Sequence, residues 1–167
     1  MKRLLFALIV MIVFVGLAFA GHGEKKKCSE EEVMAIKKVI KECYVKGVHM
    51  NRDVEALKKG FHPDFTILVM KEGGLVTVPI SKWIEKIEKW KEKEPELKTK
   101  YEHKLGMLDV AGNAAVARLD VFKEGNYAYT DYFSLYKFDD GWKIVNNVFY
   151  AKKKHKKEKE KKEKKKG

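Results

Sequence analysis

The sequence predicts an α+β domain: a curved antiparallel sheet wrapped around about three N-terminal helices. Three observations carry this. Through the first part of the chain, apolar residues recur at spacings of three and four, as on helical faces. From Thr99 the period changes to two, in four runs separated by Gly-containing breaks. Those runs are too long to lie flat, because sheets twist and coil, and a curved sheet offers its hollow to helices.

The elements follow in order. "CSEEEVMAIKKVIKECYVKGVHM" predicts a helix over 29–49, with Ser29 as N-cap and Glu32 as its capping-box partner. Val33, Ile36, Ile40, Cys43 and Gly47 share its inner face, with Tyr44 at the edge of that face. "NRDVEALKKGF" predicts a second, short helix that turns Val54, Leu57 and Phe61 inward and is ended by Gly60 and His62-Pro63. "FTILVMKEGGLVTVPI" predicts a hairpin around Glu72-Gly73-Gly74. Ser81 is the expected cap of a third helix, which carries the stripe Trp83, Ile87 and Trp90 and is closed by Pro95. Such a stripe packs into a core or walls a binding site. Strands are expected over 99–110, 114–122, 127–138 and 142–150. The breaks "AGN", "KEGN" and "FDDG" each pair Gly with Asn or Asp, the residues that accept positive φ in tight hairpins. No internal repeat is visible.

At 167 residues the chain suits one domain, here 29–151, with a signal peptide expected at 1–20, a short linker at 21–28 and a tail at 152–167. "MKR" is a basic start, the run that follows is unbroken apolar sequence, and Ala18-Phe19-Ala20 has the small-x-small form of a cleavage site. Cleavage would make the chain secreted or periplasmic. The run from Leu4 to Ala20 also approaches membrane-spanning length, so an uncleaved anchor is the alternative.

The formal charge of +12 is unevenly placed. Lys2 and Arg3 carry two of those charges and the tail, with eleven Lys and three Glu, a net eight, which leaves +2 for 21–151. The tail has no apolar residue with which to offset its ordering entropy, and reads as a disordered, solvated segment or as an arm for anionic surfaces. It has no aromatic residue to stack on bases, which argues against a specific nucleic-acid partner. The absence of Gln and the density of Lys and Glu resemble a thermophile composition.

Two cysteines in an exported chain invite a disulfide. On one continuous helix, however, Cys28 and Cys43 would lie about 22 Å apart, far beyond the roughly 7 Å that a disulfide spans. No set of Cys, His and carboxylates has metal-ligand spacing, and neither metal nor cofactor is expected.

Alternation places Tyr127, Tyr129, Asp131, Phe133 and Leu135 on one face of their strand, and Trp142, Ile144, Asn146 and Val148 on one face of the last. One polar residue per apolar face has two readings. Asp131 and Asn146 line a mainly apolar pocket, or they satisfy each other or a helix end.

The segment "GVHMNRDVEALKKGFHPDF" and the closing "TDYFSLYKFDDGWKIVNNVFY", together with the order of elements, resemble the nuclear transport factor 2-like superfamily, in its branch described as putative lumazine-binding. The resemblance covers about residues 30–151. It implies a cone, with the sheet bent around the helices and a pocket at the open end. Relatives include ketosteroid isomerases and scytalone dehydratases. The isomerase-type base position falls near Val69, where there is no carboxylate. Tyr44 lies close to the first-helix tyrosine of those enzymes, and His62 and His103 match the dehydratase histidines by residue type only. The expected ligand-binding residues are Tyr44, Trp83, Tyr129, Asp131 and Asn146. The expected function is non-catalytic binding of a small, largely apolar ligand or a protein partner, with a cofactor-free lyase or isomerase as the alternative. A homodimer through the open sheet face is a further expected partner.

Cleavage after Ala20 should give mature protein whose intact mass, measured on the envelope or secreted fraction, starts at Gly21. A species beginning at Met1 and released only by detergent would establish the anchor.

Overall fold

Residues 29–151 are described by a computed structural model. The leader expected at 1–20, the linker with Cys28 and the tail at 152–167 lie outside the described residues. Ser29 opens helix α1 (Glu30–Val39), its Oγ accepting from the Glu32 N–H at 3.2 Å. Three glutamates in the first turn complement the helix dipole. The Glu32 carboxylate also accepts from Lys137 Nζ and Trp142 Nε1, which ties the helix start to the sheet.

The first helix does not stay α-helical to residue 49. From Ile40 to Met50 it is a π-helical segment, with bonds spanning five residues. It ends with the Asn51 N–H donating to Lys46 O at 2.8 Å. Residues five apart then share a face, and the buried set becomes Ile40, Tyr44, Val45, Gly47, Val48 and His49. Tyr44, expected at the edge, sits in the core, while Cys43 and Val33 are only half-buried.

Asp53 caps α2 (Val54–Gly60), accepting from the Glu55 and Ala56 N–H groups at 3.0 and 3.1 Å. Leu57 is buried as expected, Val54 is not, and Phe61 already belongs to the first strand. Two glycines let α2 lie against the π segment. A Cβ on Gly60 would meet Cys43 Cβ at 2.2 Å, and one on Gly47 would meet Leu57 Cδ1 at 3.0 Å.

Helix α3 (Ile80–Lys93) begins one residue before the expected cap: Pro79 holds that position and Ser81 lies in the first turn. The extended backbone of Pro79 (φ −71°, ψ 157°) lets the helix start directly after it. At the other end Arg52, buried and at φ 49°, donates from Nη1 to Trp90 O at 2.7 Å and to Glu94 O, and from Nη2 to Glu94 Oε2 at 3.0 Å. A cation on the terminal carbonyls is the favourable partner for that helix end, and these bonds hold a backbone conformation that L residues seldom adopt.

The sheet comprises β1 (Phe61–Lys71), β2 (Gly74–Pro79), β3 (Tyr101–Ala111), β4 (Ala114–Lys123), β5 (Asn126–Phe138) and β6 (Gly141–Ala151), in the order β2-β1-β6-β5-β4-β3. It is antiparallel except between β1 and β6, which run parallel. Register shifts interrupt β1/β6, β3/β4, β4/β5 and β5/β6, and each bulge bends its strand and adds twist. The curved sheet closes over a core in which Tyr44, Phe61, Phe65, Trp83 and Phe133 meet Ile36, Leu57, Ile87, Leu135 and Ile144.

Gly60→Ala should destabilise the protein by about 1–3 kcal/mol or more in urea or thermal melts, because the clash is with a Cβ. Cys43→Ala keeps that Cβ and should not rescue it. Cys43→Gly should recover most of the loss, less about 1 kcal/mol for glycine in a helix.

Candidate functional site

A cavity of about 400 Å³ opens between α3, the β1/β2 hairpin and the inner ends of β5 and β6. Ile67, Val69, Val78, Trp83 and Phe149 supply apolar wall, and Tyr44, His49, Tyr129, Asp131 and Asn147 supply the polar groups. Lys71, Lys82 and Lys86 line it while remaining exposed, which places them at its mouth. Asp131, Tyr44 and Asn147 are no more than 4% exposed and form its floor.

At the floor, Asp131 Oδ2 accepts from the Tyr44 hydroxyl at 2.5 Å and Oδ1 accepts from Asn147 Nδ2 at 2.9 Å. Burial pushes the Asp131 carboxyl up to about 6, against the opposing pull of these two donors. Asn147 Oδ1 is buried and has no hydrogen-bond partner among the described residues.

A second polar set adjoins the first. The Tyr129 hydroxyl and His49 Nε2 are 2.7 Å apart, and His49 Nδ1 and His103 Nε2 are 2.5 Å apart. Burial, then the neighbouring His103, holds His49 down to about 3, and burial also lowers His103. A neutral His49 has one N–H, so it donates to one neighbour and accepts from the other. Burial first, and the Asp131 charge second, raise both the Tyr44 and Tyr129 hydroxyls, so both remain donors. The Tyr44 ring meets His49 edge-on, with centroids 4.9 Å apart, which joins the two sets. Among the described residues, no three His, Cys or carboxylate groups converge as metal ligands.

Tyr44, Trp83, Tyr129 and Asp131 all line the cavity. Asn146 does not: its Nδ2 donates to Thr66 O and Oγ1, at 3.1 and 3.0 Å, on the β1 side. The reason is a bulge. Leu135 pairs with Ile144 but Ser134 pairs with Asn146, so Val145 is an extra residue and the alternation set by Trp142 and Ile144 reverses. Asn147 takes the inward place, and Val148, expected inside, is 42% exposed. The same effect at Ala128 turns Tyr127 outward. Asn147 and His49 are the floor residues that alternation and helical period did not indicate; the doubled Asn146-Asn147 was the available signal.

Val69 lines the cavity without a carboxylate beside it, and Asp131 is the carboxylate among the lining residues. His103 enters the site only through His49. His62 is the second residue of β1, outside the cavity lining, accepting from the Asp64 N–H at 3.1 Å and stacking on Phe138.

These shifts have opposite consequences for stability. Between pH 3.8 and about 6 the folded Asp131 binds a proton more readily than the unfolded residue, so its contribution is lost as pH rises. Between about 3 and 6.5 the unfolded His49 binds the proton, so its contribution grows as pH rises. Asp131→Asn should remove the first effect alone. Its unfolding free energy, relative to the parent, should climb from pH 4 to 6 by on the order of 2–3 kcal/mol. A difference that stays flat in denaturant titrations would mean that Asp131 is not shifted.

The sequence profile of the family described as putative lumazine-binding matches residues 31–150. Among solved structures, an NTF2-like protein of unknown function from Shewanella baltica is similar over 77% of this chain and 100% of its own, at 22% identity and a TM-score of 0.63. One from Methylobacillus flagellatus covers 78% and 100%, at 25% identity and a TM-score of 0.58. A protein described as a putative aromatic ring hydroxylase, from Novosphingobium aromaticivorans, covers 77% and 94%, at 17% identity and a TM-score of 0.56. No curated protein matches the chain. The matched profile makes this chain a member of the family described as putative lumazine-binding, and its fold is that of the NTF2-like structures.

Proposed function

We propose that the chain is an exported binding domain whose cavity holds a small, largely apolar molecule by one hydrogen-bonding end and does not transform it. The observation that carries this is Asn147 Oδ1, a buried acceptor without a partner, on a residue that lines an otherwise mostly apolar cavity. Buried polar atoms are almost always satisfied, and Asn147 Oδ1 has under 1 Å² open to solvent, so a small turn of the amide toward the cavity would bring it within reach of a ligand hydroxyl or N–H. Tyr44 and Trp83, with ring centroids 6.2 Å apart, offer aromatic wall to a ring-sized body. The family description supports small-molecule binding. Non-catalytic binding is supported by the missing carboxylate near Val69. Export is supported by the basic start, apolar run and Ala18-Phe19-Ala20 of the leader.

One observation favours a second reading. A buried carboxyl held near 6 within a cavity is poised for proton transfer at neutral pH, and it would serve a cofactor-free lyase or isomerase.

Methyl 6-hydroxy-2-naphthoate, a neutral ring with one hydroxyl, should bind the parent in calorimetric titrations. Asn147→Ala should weaken it about fivefold, as expected for one neutral hydrogen bond. Asn146→Ala should leave affinity unchanged and lower stability by about 1 kcal/mol through the Thr66 contacts. Equal effects of the two variants on affinity would remove the assigned floor. A turnover abolished by Asp131→Asn would establish the catalytic reading.

A further inference from the structure

The mouth of the cavity has a charge pattern that its floor does not explain. Lys71 lies at the end of β1, and Lys82 and Lys86 lie one turn apart on α3. All three are exposed and line the same cavity, while the one carboxylate in the lining, Asp131, is buried at the opposite end. Lys82 is partly neutralised by Glu85, at 2.9 Å. Lys86 Nζ lies 4.9 Å over the Trp90 ring, and neither it nor Lys71 pairs with a described carboxylate. Cations lining one opening repel one another, and low-dielectric walls focus their field into it. An anion at the mouth would relieve that repulsion.

We infer that the ligand is an amphipathic anion, with a ring-sized apolar body against the wall of Trp83, Val69 and Phe149, a hydrogen-bond donor at Asn147 and an acidic head group held at the mouth by Lys71, Lys82 and Lys86. This rests on the cavity-binding reading and adds the ligand's charge and polarity. Two independent features define the two ends: the buried, unpartnered Asn147 Oδ1 at the floor and the lysines at the rim. Asp131 opposes an anion at the floor, so the acidic group stays at the mouth. The aliphatic stems of the lysines and the face of Trp90 extend the apolar wall up to the head group.

The test uses a matched pair of probes on the full chain. 6-Hydroxy-2-naphthoate carries a hydroxyl at one end and a carboxylate at the other, and its methyl ester differs only in losing the charge. The acid should bind about 3–10-fold more tightly than the ester at low salt, and that advantage should shrink as salt is added. Lys71→Gln and Lys86→Gln should each weaken the acid about 2–5-fold and leave the ester unchanged. The double variant should bring the acid to the affinity of the ester, and Lys58→Gln, on α2 outside the cavity, should change neither. An ester that binds as tightly as the acid overturns the anionic ligand and leaves the cavity-binding reading standing. An advantage that survives in the double variant overturns the lysine site. If neither probe shows binding that depends on Asn147 and Trp83, the cavity-binding reading itself falls, and this inference with it.

Discussion

A carboxylate buried inside an apolar core sets the terms for the rest of this fold. Asp131 faces inward from β5 among aromatic side chains, where an isolated charge would be costly. It is tolerated because two donors reach it from different directions, Tyr44 from the first helix and Asn147 from β6. Those two bonds are also mechanical. They join the helical layer to two adjacent strands at the depth where the cone is hollow, so the element that satisfies Asp131 also fixes the floor of the cavity.

Neither donor arrives by regular geometry. Tyr44 is carried inward because the first helix becomes π-helical at Ile40, so that Tyr44 and His49, five residues apart, lie on one face. Asn147 is carried inward because Val145 is bulged and the parity of β6 reverses. Each device moves side chains by about one residue relative to the ideal period, and together they bring Tyr44 and Asn147 onto one acid and set His49 beside Tyr44. π segments and bulges recur at functional sites for this reason: they re-aim a few side chains without moving the element that carries them.

That also explains what was legible in the sequence. The three-helix, six-strand order could be read from periodicity and from Gly-Asn and Gly-Asp turns, because those signals are local. Tyr44, Trp83, Tyr129 and Asp131 could be placed because regular alternation, or a large aromatic residue, pointed to them. Asn147 was missed in favour of Asn146 because a bulge is set by the pairing of β6 with β5, which no single strand encodes. His49 was missed because an α-helical period does not put it beside Tyr44. Ser81 has the side chain of a cap, but Pro79 holds that position through its backbone alone. Arg52 was not singled out: its role at the end of α3 depends on a contact between residues about forty positions apart.

Arg52 matters because α3 carries both the aromatic wall and two of the mouth lysines. By bonding the terminal carbonyls of α3 from the end of the π segment, it couples the helix that shapes the floor to the helix that shapes the mouth. The site is thereby divided along its depth. At the floor, burial favours neutral His49 and hydroxyl donors and leaves Asp131 with both oxygens occupied. At the mouth, the lysines are exposed to solvent. Under the proposed reading, selectivity would rest on matching a polar end to Asn147 and a charge to the rim, with the aromatic walls setting the size of what lies between.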